Sequence, residues 1–184
     1  MSARSAFTAF AFVALASQAH AADSDAMAKT ATGFYAVYST FHPSDGIPDV
    51  KGRAKYAPYI SDRLNGMLVQ ADAAEDKFAS ANKNTPPLVE GDLFTSNFEG
   101  ATAYKIGTCT GDTKAGHCAI QLTYDPGKTA NPKDKPFSWT DTVYLANSAD
   151  GWKIDDIGFG GNWDFGNKGK MSDTLKMVIT TAGE

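Results

Sequence analysis

The side chains whose types and spacing bear on chemistry are few: Cys109 and Cys118, the adjacent acids Asp155 and Asp156, a lone Asp141, and the histidines His42 and His117. Asp141 shares strand parity with Phe137, Trp139, Val143 and Leu145, so a buried face would desolvate its carboxyl and raise its pKa, which is how a general base is tuned. With Tyr38, Tyr56 or Tyr104 as hydroxyl donors to an enolate oxygen, that base would support isomerase-like proton transfer. The competing reading is that Asp141 accepts hydrogen bonds from neighbouring backbone or lies at an open rim. Asp155 and Asp156 would face opposite sides of a regular strand; only a bulge brings both to one surface, and the plain expectation is a solvated bulge.

Other chemistries find no motif. The chain has no G-x-S-x-G, no P-loop and no G-x-G-x-x-G; Gly158-Phe159-Gly160-Gly161 reads as a turn. No metal site and no cofactor are expected, because Cys109 and Cys118 lack the C-x-x-C spacing and the two histidines read as surface residues. Two cysteines nine positions apart in an exported chain read as a disulfide, a staple contributing about 2–3 kcal/mol in the chain-entropy treatment.

Export is read from the first residues. Arg4, an apolar run from Ala6 to Ala16 and Ala19-His20-Ala21 have the three parts of a secretory signal, with cleavage expected after Ala21. The run is too short to span a bilayer, and no later segment approaches the roughly 20 apolar residues a span requires. The expectation is therefore a signal peptide at 1–21, one domain over 22–184, and a periplasmic or secreted location without a membrane span. Removing Arg4 makes the formal charge of −4 one unit more negative, and no Lys/Arg cluster is present, so no nucleic-acid partner is expected.

The elements that must position these residues follow from periodicity. Met27, Ala31, Phe34, Tyr38 and Phe41 fall on one helical face, with Ser24 or Asp25 available as a cap and His42-Pro43 as a stop. The segment 44–55, rich in Gly and Pro, reads as a loop. A second helix is expected from Tyr56 to Phe78, with Pro58 in its first turn and Gly66 as either a packing contact or a break. Beyond Pro87 the period becomes 2, predicting strands around 103–108 and 118–124 as one hairpin, and 137–145 and 152–159 as another. In the last strand Trp152 and Ile154 share one parity and Ile157 and Phe159 the other, which predicts a bulge at Asp155-Asp156. A short terminal helix carries Leu175, Val178 and Ile179, with Ser172 as its cap. The sum is an α+β domain, helices on one side of a curved antiparallel sheet.

That order of elements, with Gly151-Trp152-Lys153-Ile154-Asp155-Asp156-Ile157, Tyr59-Ile60-Ser61 and Leu175-Lys176, resembles the NTF2-like superfamily, and most nearly its exported bacterial group DUF3828. The cysteine pair and the segment Gly160 to Lys170 depart from that pattern. The resemblance implies a cone in which the sheet wraps a long helix, leaving a cavity for ligands, for isomerase or dehydratase catalysis, or for protein contacts. Tyr38, Phe41, Tyr56, Tyr59, Tyr104 and Trp163 are the expected aromatic mouth for a small apolar ligand or the anchor of a partner protein. A binding domain is the preferred expectation; a cavity enzyme using Asp141 and an envelope immunity or inhibitor protein are the alternatives.

Overall fold

The computed structural model describes residues 11–40, 42, 45–127 and 135–181, the side chains of 11–22 and of Asp45 excepted. Phe41, the first ten residues of the expected signal and most of the 126–136 link lie outside the described residues. Helix α1 (Ala11–Thr40) leads to a two-residue strand β1 (Asp45–Gly46), then α2 (Val50–Tyr56) and α3 (Asp62–Ala81). After β2 (Gly91–Asp92) come four longer strands, β3 (Ala103–Gly111), β4 (Ala115–Tyr124), β5 (Phe137–Ser148) and β6 (Gly151–Gly158), and finally α4 (Met171–Thr181). The four pair in sequence order as one curved antiparallel sheet, while β1 and β2 pair in parallel apart from it. The α+β expectation holds. Among the described residues no helix is long and apolar enough to cross a membrane.

One face of the sheet carries Cys118, Ile120, Leu122, Trp139, Val143, Leu145, Trp152, Ile154 and Ile157, all buried. Against it lies α1, which puts Met27, Ala31, Phe34, Tyr35 and Tyr38 inward at helical spacing; α3 adds Leu64, Leu68 and Ala71, and α4 adds Leu175 and Val178. The period-2 and period-3.6 readings therefore converge on one core. The expected bulge is present: Tyr144 pairs with Asp156 and Leu145 with Ile154, leaving Asp155 unpaired, so Ile154, Asp156 and Ile157 are all buried. Cys109 and Cys118 face each other across β3 and β4 with Cα atoms 4.0 Å apart and form the disulfide.

Local expectations fail where tertiary partners override propensity. Helix α1 does not start at Ser24 or Asp25; the Ala-rich sequence upstream contains no breaker, and the Ser24 hydroxyl donates to the Cys109 carbonyl instead. The segment 44–55 is not all loop, because Asp49 caps α2 by accepting from Gly52 N at 2.7 Å, and Arg53 is held by Pro48 O and Asp72. The second helix starts at Asp62 rather than Tyr56. Ile60 bridges Ile154 in the manner of a strand, with Ile154 N donating to Tyr59 O and Ser61 N to Ile154 O, and Ser61 then caps α3. Gly66 neither breaks α3 nor packs, since a Cβ there would meet open space. Ser172 lies inside α4 and donates to Asp156.

Candidate functional site

Residues 91–97 are buried although, past Asp92, they belong to no helix or strand. Buried irregular chain is unusual, because each backbone N–H and C=O taken from water needs a partner. Here side chains supply many of them. Asp92 Oδ1 accepts from Phe94 N at 2.7 Å and Thr95 N at 2.9 Å. Asp141 Oδ2 accepts from Ser96 N at 2.8 Å and Trp139 Nε1 at 3.0 Å, while its Oδ1 accepts from Gly160 N at 2.8 Å and from the Ser96 hydroxyl. Asn167 donates Nδ2 to the carbonyls of Asp92 and Thr95, and its own N–H to Ser96 O. The 160–167 segment thus lies over this loop, and Leu93 and Phe94 fill the interior beneath it. Phe94 packs 4.7 Å from Tyr56 and 5.4 Å from Phe34, ring centre to ring centre.

Asp92 is the most perturbed acid of the loop. Burial raises its pKa to about 7, against the lowering effect of hydrogen bonds from Tyr38, Phe94 and Thr95. Tyr38 donates to Asp92 Oδ2 at 2.8 Å and accepts from Ala101 N at 2.7 Å. A Cβ on Gly100, which sits at φ +80°, would fall 2.8 Å from the Tyr38 hydroxyl and 2.9 Å from Asp92, so only glycine lets the chain approach there. His42 stacks on Tyr38 and brings Nδ1 to 3.7 Å from Asp92, at the solvent side. This carboxyl can exchange a proton near neutral pH. Sequence periodicity missed Asp92 because 88–102 has no repeat. The available signal was an Asp followed by Thr95-Ser96-Asn97 between Gly91 and Gly100, the residue types of a side-chain-closed turn.

The expected aromatic mouth is not one site. Tyr38 and Tyr56 are fully buried members of the core, and burial raises both their pKa values above the ordinary phenol range. Tyr104 stacks on Tyr35 at 5.4 Å, and Tyr59 lies where a side chain on Gly33 would otherwise stand. Tyr35 is also buried, and its hydroxyl has no hydrogen-bond partner. These rings pack into the interior between α1 and the sheet rather than lining an opening, because the 91–97 loop and its aromatic Phe94 occupy that space. Trp163 belongs elsewhere. Asp141, the candidate base, is 0 % exposed and receives four donors, which engage both carboxylate oxygens in holding the loop. The bulge acids divide: Asp155 stays partly exposed, paired with Arg63 and Ser61, whereas Asp156 is buried rather than solvated and accepts from Ile157 N, Ser172 N and Ser172 Oγ, tying α4 to β6.

Where the buried loop emerges, apolar rings meet solvent. Phe98 is 48 % and Phe165 90 % exposed, and with Trp163, Asn97 and Glu99 they line an open groove of about 460 Å3. Trp163 is held in place from behind. Its indole meets Phe137 and Trp139 edge to face at 5.5 and 5.4 Å, and a Cβ on Gly166 would stand 2.5 Å from its Nε1. Phe137, itself 40 % exposed, extends the patch onto β5. A second groove, about 440 Å3, runs past Ser61, Arg63 and Lys153, but Arg63 is bonded to Asp155 and Lys153 to Pro58 O. Among the described residues no three His, Cys, Asp or Glu converge as metal ligands would. No family model and no curated protein matches the chain.

Proposed function

We propose that the chain is an exported binding domain of NTF2-like kind, cleaved after Ala21, which docks a partner protein on the groove of Phe98, Trp163 and Phe165. The observation that carries this is Phe165, 90 % exposed beside the half-exposed Phe98, where the other Phe, Tyr and Trp rings of the described residues, Phe137 and Tyr144 apart, are buried or half-buried. Leaving such rings in water forgoes about 25 cal/mol for each Å2 that a core or an interface would cover. An aromatic patch with a polar rim is the usual composition of a protein interface, where a few anchors supply most of the affinity. The disulfide and the absence of a membrane-spanning helix among the described residues fit export. An enzyme built on Asp141 has less support, since its oxygens are already engaged by four protein donors.

The test is selective capture. Immobilised protein and its Phe165→Ser variant are exposed to envelope extract and culture medium of the source cells, and retained proteins are quantified by mass spectrometry. At least one protein should be retained by the parent and lost from the variant. Identical retained sets on both would dispose of the docking role.

A further inference from the structure

From the charge at the groove we infer that the group it takes from its partner is an arginine side chain, an inference that rests on the docking reading above. Three aromatic residues and a single ionisable side chain, the exposed Glu99, line the groove together with Asn97. A guanidinium combines the two interactions this lining offers: its flat face stacks on aromatic rings, and its N–H groups pair with a carboxylate in a fixed fork. A lysine ammonium offers the charge without the planar face, and a purely apolar anchor leaves Glu99 facing it without a counter-charge. The basic residue of the same segment does not compete for the site. Lys168 directs its ammonium to the carbonyls of Gly161 and Trp163 at 3.0 and 2.5 Å and is not among the lining residues. The formal charge of −4 gives the whole molecule the sign that attracts a basic partner. Glu99 is exposed, and among the described residues no side-chain hydrogen bond or ion pair engages its carboxylate.

The experiment compares peptides that differ only in the anchor. The 15N-labelled protein is titrated with N-acetyl-Gly-Arg-Gly-amide, with its citrulline counterpart, which keeps the planar shape and loses the charge, and with its phenylalanine counterpart. The Trp163 indole N–H resonance, assigned with Trp163→Phe, reports binding even at millimolar affinity. The arginine peptide should bind about fivefold more tightly than the citrulline peptide, and Glu99→Gln should bring the two together. If citrulline or phenylalanine binds as well as arginine, the arginine assignment fails while the docking groove stands. An unchanged arginine preference in Glu99→Gln also overturns it. If no peptide moves the Trp163 resonance, the arginine assignment fails, and the docking reading is decided by the capture experiment above.

Discussion

A single loop makes two contrasting regions within nine residues. From Gly91 to Asn97 the chain is buried, and Asp92, Asp141 and Asn167 satisfy its backbone; at Phe98 and Glu99 it turns outward and joins Trp163 and Phe165 in an open groove. The closed part contains the groups that look most like chemistry: two buried carboxyls, tyrosine hydroxyls and a histidine at the margin. The open part contains rings and one exposed acid. Asp141, buried with both oxygens engaged by four protein donors, holds chain segments together. Polar groups turned toward one another hold architecture; apolar groups turned toward water are free to contact something else.

Asp141→Ala should cost about 3–5 kcal/mol, because it leaves several buried donors without an acceptor. Denaturant unfolding measures it, and a loss below about 1 kcal/mol would mean the carboxylate is not holding the loop.

Asp92 gives a test in pH. Its folded pKa of about 7 exceeds the ordinary value of 3.8, so the folded state keeps a proton that the unfolded chain releases. Stability from this group is therefore greatest at and below about pH 4 and falls as pH rises toward 7, by a total on the order of 4 kcal/mol. Asp155 works the other way, since its pKa is lowered by Arg63 and Ser61 in spite of partial burial, and it loses stability only in acid. Asp92→Asn should flatten the decline between pH 4 and 7 and leave the acid limb. An unchanged slope in that variant would show that the proton resides elsewhere.

Two tyrosines one helical turn apart sharpen the closed side. Tyr38→Phe removes a hydroxyl engaged with Asp92 and Ala101 and should cost about 1–3 kcal/mol. Tyr35→Phe removes a buried hydroxyl with no partner and should be neutral or stabilising. Equal losses for the pair would show that Tyr35 has a partner such as a bound water. The smallest effect belongs to the open side: Phe165→Ala should change stability by less than about 0.5 kcal/mol in thermal or denaturant unfolding, since its ring is 90 % exposed.

Much of this molecule is legible in its residue order, and the reasons are local. The parity of Phe137, Trp139, Asp141, Val143 and Leu145 placed Asp141 on the inner face, where it lies, and the switch of parity across Asp155-Asp156 required the bulge that β6 shows. The helical spacing of Met27 to Tyr38 marked the face that covers the sheet. Alternation and helical period are properties of neighbours a few residues apart, so hydrophobic burial writes them directly into the sequence.

What the tertiary structure decided is how residues far apart in the chain divide the polar and aromatic work. Ser96 meets Asp141 across 45 positions, Tyr38 meets Asp92 across 54, and Asn167 closes on Asp92 across 75. No periodicity announces such pairings, because they form only when the sheet, α1 and the 160–167 segment bring a buried loop within reach of donors and acceptors. The same assembly set Trp163 apart from Tyr38 and Tyr56. Composition could count the rings, but only packing determined that some fill the interior while Phe98, Trp163 and Phe165 remain at the surface.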